Sequence, residues 1–151
     1  LLKARALREQ LLAAGIRNAA VLADDSGIEL DALGGGPGVD SATYAGVGTS
    51  WPNRLATMMR AVAANGNTSR GARFVCIMAL ILPDGEEVVV QGDVRGEIAH
   101  QLRGENGFGY DPLFYYPPIG KTFGEIPERQ KNQLSHRGRA ARALLAALHA
   151  R

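Results

Sequence analysis

The segment Gly107–Pro112 brings together side chains that suit a planar, hydrogen-bonding ligand. It carries two aromatic rings, Phe108 and Tyr110, followed by the acid Asp111. Glycines flank Phe108, and Gly109 leaves the backbone open to close approach by a ligand. Either ring can stack on a heterocyclic base. The same composition also suits an aromatic plug in the core between two turns, and the sequence leaves both interpretations open.

A second motif, Ser135-His136-Arg137, supplies an imidazole and a guanidinium directly before an apolar helical pattern. Its donors can pair with a carbonyl on the edge of a purine, and a site built around that oxygen rejects a ring that lacks it. The alternative is that Ser135 only caps the following helix while His136 and Arg137 lie on the surface. The motif by itself does not separate these two roles.

A third motif places two carboxylates, Asp24 and Asp25, in a predicted tight turn that ends at Gly27. Hard cations such as Mg²⁺ prefer carboxylate oxygens. A carboxylate beside such an ion can accept a proton from water while the ion neutralises phosphate charge. Ser26 and the neighbouring backbone N–H groups can donate to a phosphate oxygen. The alternative is a β-turn stabilised by its own Asx hydrogen bonds.

Together the three motifs predict a hydrolase that acts on a nucleotide, because they suit a heterocycle joined to phosphate. Two better known phosphate signatures are excluded. The triplet Gly120-Lys121-Thr122 resembles the end of a Walker loop, but Tyr115 stands where that loop needs its first glycine. Gly104, Gly107 and Gly109 run in the wrong order for a dinucleotide fingerprint.

The composition predicts one globular domain, residues 1–151, in a reducing cytoplasm. The chain has 151 residues, of which 46% are hydrophobic and 21% charged. No apolar run approaches the roughly 20 residues that cross a bilayer, so no membrane partner is expected. The single cysteine, Cys76, lies in an apolar run and is expected to be buried and unpaired. The chain starts at Leu1 within a helical pattern, so we expect it to be N-terminally incomplete.

Charge is unevenly distributed along the chain, although the net charge is only +2. The segment 121–151 has seven Lys/Arg and two Asp/Glu, whereas 24–40 has five acids and no base. The two segments could face each other across a cleft and hold a metal–polyphosphate ligand, or they could be separate solvated faces. The basic residues lack interleaved aromatics, so a nucleic acid partner is not expected.

Periodicity predicts an α/β domain with a mixed sheet. Ser135 is expected to cap the last helix, which should turn Ala141, Leu144, Leu145 and Leu148 inward. A glycine-rich loop is expected over 34–38. The predicted helices are Leu1–Ala14, Pro52–Ala64 and Ser135–Arg151. The predicted strands are Ala20–Ala23, a weaker one over 28–32, Phe74–Leu82, Glu86–Gln91 and Val94–His100.

Taken in order along the chain, these motifs resemble those of the Ham1 family of inosine/xanthosine triphosphate pyrophosphatases. The matching segments are 2–5, 23–35, 37–39, 41–42, 44–46, 72–74, 107–114, 120–123, 131–132 and 135–138. They are collinear and cover essentially the whole chain. The resemblance implies an elongated mixed β-sheet flanked by helices, two lobes with a nucleotide cleft between them, and a homodimer.

The resemblance also implies a reaction. Members of this family hydrolyse the non-standard purine nucleoside triphosphates ITP, dITP and XTP to the monophosphate and pyrophosphate with Mg²⁺. By position, Asp25 matches the proton acceptor and a metal contact, and Asp24 lies beside it as a second metal candidate. The positions that match substrate contacts are Lys3, Ser26, Phe108, Gly109, Tyr110, Asp111, Lys131, His136 and Arg137.

The chain departs from the family pattern at its beginning. The family opens with a strand and a Ser/Thr-x-Asn-x-x-Lys loop that holds the phosphates, followed by an acidic segment with another metal-binding Glu. This chain begins after both features. An alternative expectation is therefore a non-catalytic nucleotide-binding remnant.

Overall fold

The computed structural model describes residues 1–66 and 69–151. Its centre is a six-stranded sheet in the order β2-β1-β3-β4-β5-β6. The strands are β1 (Val21–Leu30), β2 (Pro37–Gly38), β3 (Gly71–Ile81), β4 (Glu87–Ile98), β5 (Phe114–Tyr116) and β6 (Lys121–Thr122). The helices are α1 (Leu2–Ala13), α2 (Trp51–Ala64), α3 (Glu128–Leu134) and α4 (His136–His149). The α/β class is confirmed, and every pairing among the described strands is antiparallel where a mixed sheet was expected.

The segment 24–27, predicted to be a tight turn, lies inside strand β1, so that prediction is wrong. Asp24 pairs with Met78 and Gly27 with Val75 in a continuous ladder between β1 and β3. The ladder satisfies backbone groups that a turn would otherwise satisfy locally. A side chain at Gly27 would place its Cβ 2.2 Å from the Gly38 carbonyl oxygen, so glycine here serves close packing within the sheet.

Strands β3 and β4 form a long hairpin through the predicted turn at Pro83-Asp84-Gly85. Gly85 has φ +95° and donates its N–H to the Leu82 carbonyl at 2.9 Å. The two strands expected over 86–91 and 94–100 are one strand, β4. The ladder with β3 continues through Gly92. Glycine is needed there because α4 approaches so closely that a Cβ would lie 2.2 Å from the Ala140 nitrogen.

Helices α1 and α4 cover opposite faces of the long strands. Ala4 of α1 packs with Val21, Ala79 and Ile81. On the other face, α4 packs against β3, where the predicted buried Cys76 is confirmed. The residues of this second cluster are Cys76, Met78, Leu80, Ala140 and Leu144, with Ala141 and Leu148 partly buried against it.

The prediction for α4 was wrong at one position. Leu145 is 57% exposed, because it follows the inward Leu144 by one residue and so turns away from the sheet. The predicted cap is confirmed: the Ser135 hydroxyl accepts a hydrogen bond from the Gly138 N–H at 3.1 Å. None of the helices in the described segments has both the length and the apolar character that a bilayer crossing requires.

A larger core lies beyond α4 on the same face of the sheet and supports the loop after β4. Its aromatic centre is Phe74, Phe114 and Phe123, with ring centroids 4.5 to 6.2 Å apart. Met58 of α2 and Tyr110 of the loop belong to the same cluster. Tyr110, two residues after Phe108, therefore anchors this loop in the core.

Candidate functional site

A half-open cleft forms where β1, the start of α2, the loop 108–111 and the junction of α3 and α4 meet. Every predicted site residue except Lys3 lines this cleft. Lys3 lies on α1 and lines an adjoining depression together with Asp24 and Asp25. The lining residues are Asp24, Asp25, Ser26, Gly27, Ile28, Ser41, Ala42, Trp51, Phe74, Phe108, Gly109, Tyr110, Asp111, Lys131, His136 and Arg137.

Lys131 and Asp111 form a buried ion pair in the wall of the cleft. Their side chains are only 10% and 3% exposed. The same Asp111 oxygen accepts the backbone N–H of Phe108 at 2.7 Å. Gly107 makes this possible, because a Cβ at that position would lie 2.1 Å from the Asp111 carboxylate. Burial raises the pKa of Asp111, and the hydrogen bond from Lys131 partly offsets that rise.

His136 lies beside this pair as a buried, neutral imidazole. It is 5% exposed, and its ring stacks on Phe74 with centroids 4.6 Å apart. Burial, with smaller effects from the positive charges of Arg137 and Lys131, lowers the pKa of His136 to about 4. Within the two described segments, its Nδ1 has no hydrogen-bond partner. A buried polar atom without a partner is costly to the fold.

The two aromatic residues of the 107–112 motif have different environments. Phe108 is 62% exposed, with the Lys131 Nζ 4.4 Å and the Arg137 Cζ 5.5 Å from its ring centroid. Tyr110 is 4% exposed, and its hydroxyl donates to the Ser41 carbonyl at 2.8 Å. Burial raises the pKa of Tyr110 to about 12. Phe108 is therefore the open ring at the cleft, while Tyr110 mainly anchors the loop.

The adjacent carboxylates of β1 point to opposite faces, because successive side chains alternate along a strand. Asp24 faces α4, where it accepts the Arg137 Nε–H at 2.8 Å. Arg137 also lies 3.4 Å from the Ser26 hydroxyl, two residues along the same face. Asp25 faces α1 and pairs with Lys3 at 3.2 Å. The acidic and basic segments of the chain thus meet at this cleft.

The carboxylates suit a metal ion that shares its coordination with a ligand. Among the described residues there is no cluster of three or more His, Cys, Asp or Glu side chains that could hold an ion. Mg²⁺ commonly binds through one or two carboxylates, waters and substrate phosphates. The Asp25 side chain is 61% exposed, and its ion-pair partner Lys3 is exposed as well. Asp25 therefore fits this mode, whereas Asp24 is already engaged by Arg137.

Sequence reasoning missed the part of the cleft wall that includes Trp51 at the start of α2. Arg54, one turn further along α2, is 5% exposed and its guanidinium lies 4.9 Å from the Trp51 ring centroid. Arg54 also donates to the carbonyls of Tyr44 and Gly46, at 2.7 and 3.2 Å. The sequence holds no signal for this wall, because Arg54 is charged and its burial depends on how the loop 44–46 folds back to present its carbonyls.

The fold and this cleft define an α/β protein whose ligand site combines an open aromatic ring, buried polar groups and exposed carboxylates. The sequence model of the Ham1 family matches residues 1–147, and the chain belongs to that family. The resemblance seen in the motifs is therefore confirmed.

Two curated relatives with the same name illustrate the match. The dITP/XTP pyrophosphatase of Exiguobacterium sp. is 50% identical over 125 residues, which cover 83% of this chain and 63% of that protein. The dITP/XTP pyrophosphatase of Thermus thermophilus is 50% identical over 126 residues, which cover 83% of this chain and 60% of that protein. The chain thus spans less than two thirds of the length of these relatives.

Solved structures share the fold. The Ham1 protein of Staphylococcus aureus matches with a TM-score of 0.86 and 42% identity, over 99% of this chain and 73% of that chain. A HAM1 protein from Coxiella burnetii matches with a TM-score of 0.82 and 39% identity, over 87% of this chain and 68% of that chain. The predicted α/β architecture is therefore confirmed at the level of the family.

Proposed function

We propose that this chain carries the hydrolytic site for non-standard purine nucleoside triphosphates, which it converts to the monophosphate and pyrophosphate. The observation that carries the proposal is one continuous cleft with two chemically different ends. One end has the open ring of Phe108 and the buried groups Asp111, Lys131 and His136. The other end has the carboxylates of β1. Relatives named dITP/XTP pyrophosphatases support the choice of substrate.

The buried end of the cleft suits a 6-oxopurine. Phe108 offers an exposed aromatic face to the base. His136 is neutral near pH 7, and it lines the cleft together with the hydrogen-bond donors Lys131 and Arg137. A hydrogen-bonding site of this kind distinguishes hypoxanthine and xanthine from adenine, because the 6-amino group presents hydrogens where the 6-oxo group accepts.

The open end suits the triphosphate and the attacking water. Asp25 accepts a proton from water as the water oxygen bonds to the α-phosphorus, and the bond from that phosphorus to the bridging oxygen breaks, so that pyrophosphate leaves. Lys3 and Arg137 supply positive charge next to the phosphates. Asp25 would hold Mg²⁺, and the ion would supply positive charge that offsets the charge of the phosphates.

The experiment is a measurement of pyrophosphate release by this chain with Mg²⁺ and ITP, XTP, GTP or ATP. We expect release from ITP and XTP, and its loss in Asp25→Asn. Asp40→Asn, a change at an exposed acid outside the set that lines the cleft, is the matched control. A folded chain that binds IMP but releases no pyrophosphate would contradict the catalytic proposal and favour a nucleotide-binding role.

A further inference from the structure

Trp51 lines the cleft beside the loop residues Gly109 and Tyr110. It is the only tryptophan of the chain and begins helix α2. Its side chain lines the cleft and remains 41% exposed. An exposed aromatic of this size on a ligand cleft presents a large apolar surface for a planar partner.

The indole is held in a fixed orientation by its neighbours. Arg54 covers it at 4.9 Å, and Arg54 is itself buried and bonded to two loop carbonyls. Tyr110 packs against the indole edge-on, with centroids 5.3 Å apart and planes at 88°. A Cβ added at Gly109 would lie 3.4 Å from the indole Cη2, so the ring rests against that glycine. A surface fixed before binding loses little entropy when a ligand arrives.

Gly109 directly follows Phe108, so two exposed aromatic side chains lie at neighbouring positions of the cleft. The Phe108 ring already has two cations within 5.5 Å of its centroid. The guanidinium of Arg54 lies over the indole. Phe108 is 62% exposed and Trp51 is 41% exposed, so the cleft offers two partly open aromatic surfaces.

We infer that Trp51 is a nucleoside-contacting residue, which packs against the base and sugar of the purine nucleotide and does not touch its phosphates. This inference rests on the proposed function and extends it to a residue outside the predicted site. Because Trp51 packs on Tyr110 and Gly109, its removal also takes support from the loop. The test must therefore separate direct contact with the nucleoside from support of the loop.

The first measurement is the emission of the unmodified chain, in which Trp51 is the only indole. Titration with IMP should change its emission saturably, with the midpoint equal to the Kd from calorimetry. Titration with pyrophosphate should leave the emission unchanged. An IMP complex seen by calorimetry without any change in emission would overturn the inference.

The second measurement compares Trp51→Ala with Trp51→Phe by calorimetry. We expect Trp51→Ala to weaken IMP binding about 10-fold, because the free energy of stacking an aromatic ring on one base corresponds to about that change in affinity. Trp51→Phe keeps an aromatic ring, so it should retain most of the affinity. Inhibition of ITP hydrolysis by pyrophosphate should be the same in both variants as in the unmodified chain. Val47→Ala removes an 89% exposed apolar side chain from the loop before α2 and serves as the control, with no change expected.

The outcomes separate this inference from the proposed function. If the unmodified chain releases pyrophosphate from ITP but Trp51→Ala binds IMP as tightly, only the inference falls. If Trp51→Ala weakens IMP binding and inhibition by pyrophosphate to the same extent, Trp51 only supports the loop, and the inference also falls. If the unmodified chain neither hydrolyses ITP nor binds IMP, both are overturned.

Discussion

Two lysine–carboxylate pairs of similar chemistry lie in opposite environments near the cleft. The inner pair, Lys131 and Asp111, has side chains that are 10% and 3% exposed. The outer pair, Lys3 and Asp25, has side chains that are 66% and 61% exposed. Breaking a buried pair leaves an uncompensated charge, whereas an exposed pair is replaced by water at little cost. The inner pair therefore shapes the site, and the outer pair is free to exchange partners during a reaction.

The largest expected effect tests the freedom of the outer pair. Asp25→Asn keeps the size of the side chain but removes the proposed proton acceptor, so pyrophosphate release from ITP should fall by about 10²- to 10⁴-fold. The midpoint of thermal unfolding should hardly move, because Asp25 is exposed. Steady-state kinetics and a melting curve on the same preparation measure both quantities. Activity within a few-fold of the original would show that another group accepts the proton.

The inner pair should show the reverse pattern. Lys131→Met leaves the Asp111 carboxylate buried without its cation, and we expect the free energy of unfolding to fall by about 3–5 kcal/mol. Urea denaturation measures this change. The double variant Lys131→Met/Asp111→Asn removes the stranded charge while keeping an acceptor for the Phe108 N–H, so it should recover much of the loss. Equal stability of the single and double variants would contradict this account.

His136 extends the comparison to pH. Its folded-state pKa of about 4 lies below the ordinary value of 6.5, so between these values the unfolded chain binds more protons. Stability should therefore fall as the pH is lowered from 6.5 to 4, by about 3 kcal/mol at most from this group. The raised pKa of Asp111 acts in the opposite sense. The difference between the original chain and His136→Asn, measured by urea denaturation across this range, isolates the histidine. Parallel curves would exclude the effect.

The smallest effect is expected for an exposed pair away from the cleft. Arg5 donates to both carboxylate oxygens of Glu87, at 2.7 and 2.8 Å, and this hydrogen bonding lowers the pKa of Glu87. Because solvent screens both groups, Glu87→Gln should leave the unfolding midpoint within experimental error. A clear drop would mean that exposure alone does not explain the weakness predicted for the outer pair.

Local features were predictable from the sequence, and features that depend on distant partners were not. The cap at Ser135, the turn at Pro83-Asp84-Gly85 and the burial of Cys76 follow from neighbouring residues or from an apolar run. The turn predicted over 24–27 was wrong because pairing with β3 lies outside the reach of a local pattern. The predicted site residues were brought together at one cleft, apart from Lys3 at its edge.

The sequence by itself determined the family, the chemical types at the site and the helix α4 with its cap at Ser135. Tertiary structure alone decided how those types are used. The pleat of β1 directs Asp24 to Arg137 and Asp25 to Lys3, and burial keeps His136 neutral. The wall at Trp51 exists only because α2 meets the loop 108–111. The sequence sets the residue types, whereas the exposure and the ion pairing of the site side chains arise from contacts between segments far apart along the chain.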